Sequence, residues 1–337
     1  MYRTSTARRL AGAAVLAVTA TALAACGEDG ASGGTVTLSF ANSYPTSHAH
    51  NRCGTELVKE KLDAADVGIE VEIFSDSQLG DDAGRFTSVM AGDISMDIQG
   101  SSALASTYEP IGVFDMAYAF DGPDHLFEWF DSGEADQLKE GFATETGAHI
   151  LDVWYFGMRH FSANSPIRTP ADLEGLRMRF PDSPVYLDNA EAMGAEATAV
   201  AFEEVYLSLQ QGIVDGQENP IDTIQSMSFN EVQSHVSLTG HQTGSQMIVV
   251  SDAIWQTLSP EQQEALTDAV HETRAENLQC IEDDTDAILE EWAANGSPAV
   301  VDDVDRDAFQ TMTEQYFLEN LEGEELELYE SIRNSAP

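Results

Sequence analysis

Runs in which apolar and polar residues alternate predict the strands of a half-buried sheet. From Val36 every second residue is apolar, and Ile69, Val71 and Ile73 alternate with glutamates in the same way. A period of two residues places the apolar side chains of a strand on one face. Continuous apolar runs predict strands that are buried on both faces. The predicted strands cover residues 36–40, 69–73, 96–99, 149–156 and 246–250.

Segments with the pattern and end signals of helices lie between these strands. Ser259, Pro260 and Gln262 form a capping box with proline at the first helical position, and the helical pattern continues to about Asn295, before Gly296. At ~1.5 Å per residue this helix spans ~50 Å, longer than one small domain. Shorter helices are predicted at 51–62, 184–193 and 203–211, and just before Gly92. The alternation of strands and helices predicts an α/β architecture.

The segment LEGLRMRFPDS, residues 173–183, places two arginines in an otherwise apolar strand pattern. Met178 and Phe180 lie two residues apart and share one face of the predicted strand. Arg177 and Arg179 therefore point away from that face.

The chain is strongly acidic, so a cluster of arginines needs an explanation. Of its 337 residues, 59 are Asp or Glu and only 15 are Lys or Arg, and the formal net charge is −44. Such a surface repels nucleic acid and anionic lipid headgroups. Four arginines nevertheless fall close together in the sequence, at Arg159, Arg168, Arg177 and Arg179. This clustering favours a site that holds an anion, and the alternative is a set of surface salt bridges.

Residues 1–26 have the layout of a lipoprotein signal peptide. Three arginines precede the apolar run 10–22, which is too short for a transmembrane span of ~20 residues. The sequence LAAC then ends at Cys26, which predicts cleavage before this cysteine and lipid on its sulfur. The alternative is an ordinary secretion signal in which the cysteine is incidental. Residues 27–34, GEDGASGG, predict a flexible tether.

The remaining cysteines and the short motifs give little sign of catalysis. If Cys26 carries lipid, Cys53 and Cys280 lie in a compartment that permits disulfides, and they either pair or stay as two thiols. The sequence contains no CxxC pair and no His/Cys spacing typical of zinc sites. It also lacks GxSxG, HExxH, P-loop and dinucleotide-binding motifs. Neither an enzyme nor a metal or other cofactor is therefore predicted.

Arg159 and Arg179 are the strongest candidates for ligand contacts. A planar guanidinium binds a carboxylate through two parallel hydrogen bonds, so two arginines near one carboxylate would explain the cluster. Asn219 lies in the polar segment VDGQENP, residues 214–220, which is predicted to be a turn-rich loop. Its amide can both donate and accept. Phe202 either stacks on a ligand or fills the core.

Four segments carry specific motifs. They are SQLGDD (77–82), IRTPADLEGLRMRFP (167–181), MGAEATAVAFEEVYLSLQQGIVDGQENP (193–220) and EVQSHVSLTGHQTGSQMIVVSD (231–252). Together they resemble the substrate-binding proteins of TRAP (tripartite ATP-independent periplasmic) transporters, which include C4-dicarboxylate, sialic-acid and uronate binders. The resemblance extends over roughly residues 35–335.

The resemblance implies a two-lobed, periplasmic-binding-protein-like fold that closes over its ligand. Crossing hinge strands join the lobes, and a long helix braces both. Lobe I is accordingly predicted to comprise residues 35–156 and 245–284, and lobe II residues 157–244 and 285–337.

The resemblance also implies ligand contacts. The arginine that pairs with the ligand carboxylate matches Arg179, and the second carboxylate-binding arginine of many members matches Arg159. The amide partner matches Asn219, and the aromatic residue that packs on the ligand matches Phe202. Other positions that line the cleft in some members match Asp82, His241 and Gln246.

One departure from the family pattern bears on the ligand. Sialic-acid binders carry Asn after the first strand and Glu after the third, where this chain has Ser43 and, roughly, Gly100-Ser101. Sialic acid is therefore disfavoured, and a dicarboxylate, a uronate or another hydroxy- or keto-acid is expected. The segment 44–50, YPTSHAH, would line this edge of the cleft, with His48 as a ligand contact.

These inferences predict a binding protein outside the cytoplasm, anchored by lipid at Cys26 to the outer face of the membrane (cell surface or periplasm). It would capture a small organic acid and deliver it to the membrane subunits of a TRAP permease, without binding nucleic acid. The alternatives are a sensory binding protein of the same fold and, less favoured, a secreted acidic hydrolase.

Overall fold

The structure, a computed structural model, describes residues 35–336 and is built on one mixed sheet within that range. Its strands are β1 (Val36–Ala41), β2 (Ile69–Phe74), β3 (Met96–Gln99), β4 (Ala148–Ala163), β5 (Arg177–Phe180), β6 (Glu196–Ala199), β7 (Gly216–Asn219), β8 (His235–Ser251) and β9 (Ala299–Val301). Their order is β2-β1-β3-β8-β4-β7-β5-β6, with β9 beside β8. The α/β class is confirmed.

Helices cover the sheet. They are α1 (Glu56–Ala65), α2 (Asp82–Ala91), α3 (Ser101–Ala105), α4 (Pro123–Phe130), α5 (Gly133–Thr146), α6 (Pro184–Met193), α7 (Val205–Gln210), α8 (Ile221–Ser226), α9 (Asp252–Trp255), α10 (Pro260–Asn295), α11 (Arg306–Asn320) and α12 (Gly323–Asn334). A π-helical turn at Asn51–Thr55 precedes α1, and 3-10 turns lie at Glu109–Asp115, Pro170–Leu173, Phe202–Glu204 and Phe229–Glu231. Within the described range, none of the helices has both the length and the apolar character to cross a membrane.

Two long antiparallel strands connect the halves of the sheet. β4 and β8 pair from Ala148 opposite Ser251 to Ala163 opposite His235. The end of β8 pairs with β3, whereas the end of β4 pairs with β7. The parallel strands β1, β2 and β3 therefore belong to one lobe, and the parallel strands β5, β6 and β7 belong to the other. The predicted two-lobed architecture with crossing strands is confirmed.

The crossing strands change register where two glycines face each other. Gly157 pairs with Gly244, beside an irregularity between Tyr155 and Gly157. Gly157 has a φ of +111°, and a Cβ at this position would lie 2.7 Å from Cβ of Pro220. The predicted lobe boundaries fall at these glycines, and the division of the chain into those residue ranges stays a prediction.

The predicted long helix is confirmed as α10, which starts with a capping box at Ser259. In its first half, Arg274 Nε donates to Asp152 Oδ2 of β4 at 3.0 Å. Near its end, Trp292 Nε1 donates to Gln225 Oε1 of α8 at 2.9 Å. The helix therefore contacts segments from both lobes.

The cysteine pairing that the sequence left open is settled in the structure. Cys53 and Cys280 form a disulfide, with their Cα atoms 6.3 Å apart. It joins the π-helical turn before α1 to α10. His50 and Asn277 lie beside it, with Nδ1 and Oδ1 at 3.1 Å.

The segment 214–220 differs from its prediction as a loop. It contains β7, whose four residues are all buried. β7 lies between β4 and β5, so both of its backbone edges form ladder hydrogen bonds. Its polar side chains find partners in the interior, as when Gln217 Nε2 donates to Ser162 Oγ at 2.8 Å. These pairings override the low strand propensity of the sequence.

The C-terminal helix α12 packs on the segment that contains α4. Trp129 Nε1 donates to Ser331 Oγ at 3.0 Å, and His125 Nε2 lies 2.9 Å from the carbonyl oxygen of Ile332. Residues 323–334 thus contact a part of the chain that was assigned to lobe I, although residues 285–337 were predicted for lobe II.

Gly157→Ala should lower the free energy of unfolding by roughly 1–3 kcal/mol, because the new Cβ meets Pro220 in a backbone region that favours glycine. Gly133→Ala is the matched control, since nothing lies within 4 Å of its added Cβ at the start of α5. Urea denaturation would compare the two variants. Equal stability would show that Gly157 imposes no steric limit on the crossing strands.

Candidate functional site

A cavity of about 330 Å³ lies between the lobes, where parallel strands end. On one side, Ser43 follows β1 and Gly100 follows β3. On the other side, Arg179 lies near the end of β5, Ala199 ends β6 and Asn219 ends β7. Side chains and loops converge beyond the carboxyl ends of parallel strands, which is where open α/β sheets bind ligands. The cavity brings two such edges face to face.

Six of the eight predicted ligand contacts line this cavity. They are Asp82, Arg159, Arg179, Phe202, Asn219 and Gln246. They come from distant parts of the chain, and both crossing strands contribute. That they bind a ligand stays a prediction.

Arg179 is buried in the cavity wall without a carboxylate partner among residues 35–336. It is 3% exposed, and its Nε donates to the carbonyl oxygen of Val200 at 2.9 Å. Strand alternation sends Met178 and Phe180 into the core on the opposite face. Burial, together with the nearby Arg159 charge, lowers the pKa of Arg179 to about 10. The guanidinium therefore remains charged at neutral pH. An anionic group in the cavity would pair with this charge and offset the cost of its burial.

Arg159 also lines the cavity, but it is already paired with a carboxylate. Its Nε and Nη2 donate to the two carboxylate oxygens of Glu218 at 2.5 and 2.7 Å. Burial pushes the pKa of Glu218 upward, but the Arg159 guanidinium outweighs this effect and holds that pKa below its usual value. The pair thus adds little net charge to the cavity.

Asn219 and Phe202 give the cavity an amide and an aromatic wall. Asn219 Nδ2 donates to Gln217 Oε1 at 2.6 Å, which holds the amide in place on β7. The half-buried Phe202 ring meets Tyr44 edge-on at a centroid distance of 6.0 Å and also packs near Phe229. The aromatic contact joins the segment after β1 to the segment after β6.

Asp82 stands at the start of α2 within a polar network. Ser43 Oγ donates to Asp82 Oδ1 at 2.5 Å, and Arg85 Nη2 donates to the same oxygen at 2.6 Å. Arg85 also pairs with the buried Asp97. These contacts fix the orientation of Asp82 at the cavity.

His48 and His241 are buried outside the cavity wall. His48 Nε2 lies 3.1 Å from Asp222 Oδ2, and its ring stacks on Tyr44 at 4.3 Å. Tyr44 lines the cavity in front of it. His241 stacks on Phe161 at 4.5 Å, and its Nε2 lies 3.4 Å from Glu218 Oε2. His48 therefore supports Tyr44 of the cavity wall. His241 instead contacts the Glu218 carboxylate that pairs with Arg159.

Sequence reasoning missed several residues of the wall, including Phe156, Tyr186 and Ser245. Asp115 is the most notable, because it is a buried carboxyl group. Burial raises its pKa to about 6, and its Oδ1 accepts from Gln242 Nε2 at 3.0 Å. It ends the irregular 3-10 segment 109–115, whose sequence has no helical or strand period that could have marked it.

Comparison with known families gives a match over most of the chain. The family described as bacterial extracellular solute-binding protein, family 7 (DctP), matches residues 46–323. The chain is 31% identical over 242 residues to the 2,3-diketo-L-gulonate-binding periplasmic protein YiaO of Escherichia coli K12, a match that covers 72% of this chain and 73% of that protein. It is 28% identical to the sialic acid-binding periplasmic protein SiaP of Vibrio cholerae, over 74% of this chain and 78% of that one.

Solved structures show the same architecture. A TRAP periplasmic solute-binding protein of Roseobacter denitrificans OCh 114, solved with bound L-galactonate, superposes with a TM-score of 0.83 at 28% identity. The match covers 89% of this chain and 99% of that one. A TRAP periplasmic solute-binding protein of Sulfurospirillum deleyianum, solved with bound succinate, superposes with a TM-score of 0.81 at 25% identity, again covering 89% and 99%.

Glu218→Gln should lower the free energy of unfolding by about 3–5 kcal/mol, because it leaves the buried Arg159 guanidinium without its carboxylate. Asp215→Asn is the matched control. It removes the partner of Arg177, whose side chain is 48% exposed, and should cost under ~1 kcal/mol. Guanidinium denaturation measures both values, and a small loss in Glu218→Gln would contradict the structural role of the pair.

Proposed function

The chain belongs to family 7 of the bacterial extracellular solute-binding proteins, and from this premise we propose that Arg179 anchors its ligand. The protein captures a small organic acid outside the cytoplasm and delivers it to a TRAP-type secondary transporter. Family members are binding proteins, so the site is built to hold and release a ligand rather than to transform it.

The observation that carries the proposal is the buried Arg179 guanidinium, which lacks a carboxylate partner within residues 35–336. A ligand carboxylate would form two parallel, charge-assisted hydrogen bonds with it. The Glu218 carboxylate neutralises the charge of Arg159 through Nε and Nη2. Arg159 would therefore contact the ligand mainly through its remaining guanidinium nitrogen, Nη1. Asn219 would orient the same end of the ligand, and Phe202 would cover it.

The ligands of similar proteins support a carboxylate. L-Galactonate is bound in the Roseobacter denitrificans protein and succinate in the Sulfurospirillum deleyianum protein. Both ligands are small organic acids, although they differ in the number of carboxylates and hydroxyls. The similarity therefore supports a carboxylate on the ligand of this protein. It does not identify the other functional groups of the ligand, which depend on the residues of this cavity.

Closure of the two lobes would complete the site. Ser77, after β2, donates through Oγ to Glu203 Oε1, after β6, at 2.7 Å. This hydrogen bond joins the loops of opposite lobes beside the cavity. Rotation about Gly157 and Gly244 would break it and expose Arg179 to solvent, so a bound carboxylate favours the closed form through contacts that only this form can make.

A lipid anchor at Cys26 is part of the proposal and lies outside the described residues. The LAAC sequence supports it, because lipid on this cysteine would tether the protein through residues 27–34 at the membrane that contains the permease. A binding protein held at the same membrane as the permease meets it at a higher effective concentration than a freely diffusing one.

Arg179→Ala should weaken binding of the acid ligand by ~2–5 kcal/mol, because it removes one partner of a buried charge pair. Arg177→Ala is the matched control, two residues earlier on β5 but exposed and paired with Asp215. A thermal-shift screen against C4-dicarboxylates, uronates, keto acids and non-acidic sugars would find the ligand class, since binding raises the melting temperature. Calorimetry would then compare the variants, and unchanged affinity in Arg179→Ala would rule out the anchor.

Cys26→Ser should move the protein from the membrane fraction to the soluble fraction of cells that process lipoproteins. Ser32→Ala, within the predicted tether, should leave it in the membrane fraction. The intact mass of the purified protein should show an N-terminal Cys26 with added acyl chains. An unmodified chain that starts elsewhere would instead support an ordinary secretion signal.

A further inference from the structure

Three buried oxygen atoms in the cavity wall have no hydrogen-bond partner within residues 35–336. They are Asp115 Oδ2, Ser245 Oγ and Gln246 Oε1. Their residues are 2%, 2% and 5% exposed, and all three line the cavity that contains Arg179. Buried polar atoms are nearly always paired, so unpaired atoms at a binding cavity point to partners on the ligand.

The chemistry of these atoms requires a ligand that donates hydrogen bonds. An amide oxygen and an ionised carboxylate only accept, whereas a serine hydroxyl can donate or accept. Asp115 Oδ1 is already occupied by the amide of Gln242 at 3.0 Å. Ser101 and the backbone N–H of Ser102 lie close enough to lower the pKa of Asp115 against the larger effect of burial, but neither reaches Oδ2 at hydrogen-bond distance. A ligand hydroxyl would supply the hydrogen atoms that Asp115 Oδ2 and Gln246 Oε1 lack.

The charges around the cavity allow for one ligand carboxylate. Arg159 is neutralised by Glu218, which leaves Arg179 as the cation available to an acid. A second carboxylate would meet the buried Asp115 and the exposed Asp81 and Asp182, which also line the cavity. Like charges at short range repel, so a dicarboxylate is disfavoured.

Hydroxyl groups satisfy this wall better than an ammonium group. An ammonium group has donors only, whereas a hydroxyl both donates and accepts and so can also pair with the Ser245 hydroxyl in either orientation. Burial raises the pKa of Asp115 to about 6, so this carboxyl gains a proton under mildly acidic conditions. A hydroxyl can donate to the ionised form of Asp115 and accept from its acid form, whereas an ammonium group cannot accept the proton of the acid form.

We propose that Asp115, Ser245 and Gln246 form a hydroxyl-binding subsite that selects hydroxylated monocarboxylates, such as aldonic and uronic acids, over dicarboxylates. The inference rests on the proposed function, because it takes Arg179 as the anchor of the single carboxylate. The subsite would specify the class of ligand, which membership of the family does not determine.

Calorimetry with six-carbon acids tests the subsite directly. The full chain, purified in mild detergent and shown to be empty by denaturing mass spectrometry, is titrated with hexanoate, adipate, 6-aminohexanoate, and a set of aldonates and uronates (D-gluconate, L-galactonate, D-glucuronate and D-galacturonate). These probes share the chain length and the first carboxylate. The best hydroxylated acid should bind at least about tenfold more tightly than the other three, because only it satisfies the unpaired oxygens.

Asp115→Asn should reverse part of this preference. The oxygen of the new amide must accept from Gln242, so its NH₂ group turns toward the ligand and changes an acceptor into a donor. The affinity ratio of the hydroxylated acid to adipate should fall by about tenfold or more. Asp268→Asn removes the same charge from an exposed position on α10, outside the cavity wall, and should leave the ratio unchanged.

A second variant keeps the test valid if Asp115→Asn fails to fold. Ser245→Ala should weaken binding of the hydroxylated acid and leave binding of hexanoate unaffected.

Two outcomes would overturn the proposals. If the unaltered protein binds adipate or 6-aminohexanoate more tightly than the hydroxylated acids, and Arg179→Ala loses this binding, the subsite is overturned and the proposed function is kept. Absence of binding by every six-carbon acid would overturn the subsite, and absence of binding by every acid of the thermal-shift screen as well would overturn the proposed function.

Discussion

The desolvation of Arg179 is the constraint on which the site depends. A guanidinium that is 3% exposed and has no carboxylate partner in residues 35–336 is held at a free-energy cost, which is reflected in its pKa of about 10. Arg159 is a second buried arginine in the same wall. Its pairing with Glu218 neutralises its positive charge, which would otherwise add to that of Arg179. One net positive charge thus remains in the cavity wall, and the proposed function assigns it to one ligand carboxylate.

The fold can hold this charge because neither lobe encloses the cavity alone. β5 and β7 bring Arg179 and Asn219 to the edge of one lobe, and the ends of β1 and β3 supply the opposite wall. The long strands β4 and β8 belong to both lobes, so they place Arg159 and Gln246 between them. Opening at the crossing strands would return Arg179 to water, which links the electrostatics of the site to the position of the lobes.

The acidity of the chain and the positive cavity are compatible because they act over different ranges. The formal net charge of −44 repels anions at the surface, and salt screens this repulsion over about 10 Å at 0.1 M. Inside the cavity, low-dielectric walls preserve the local potential of Arg179. Capture therefore depends on short-range contacts in a desolvated space rather than on steering over the surface.

The sequence by itself determined the local elements and singled out Arg179 as the proposed anchor. Alternation over 176–180 identified β5 and the face of Arg179, and the capping box at Ser259 identified the long α10, because both signals depend on neighbouring residues. Only the tertiary structure decided that VDGQENP contains the buried strand β7, that Cys53 pairs with Cys280, and that His48 lies behind Tyr44. It also revealed Asp115, which had no periodic pattern to mark it. Each of these depends on partners far away in the chain, whose positions are set by packing of the lobes and strands rather than by local propensity.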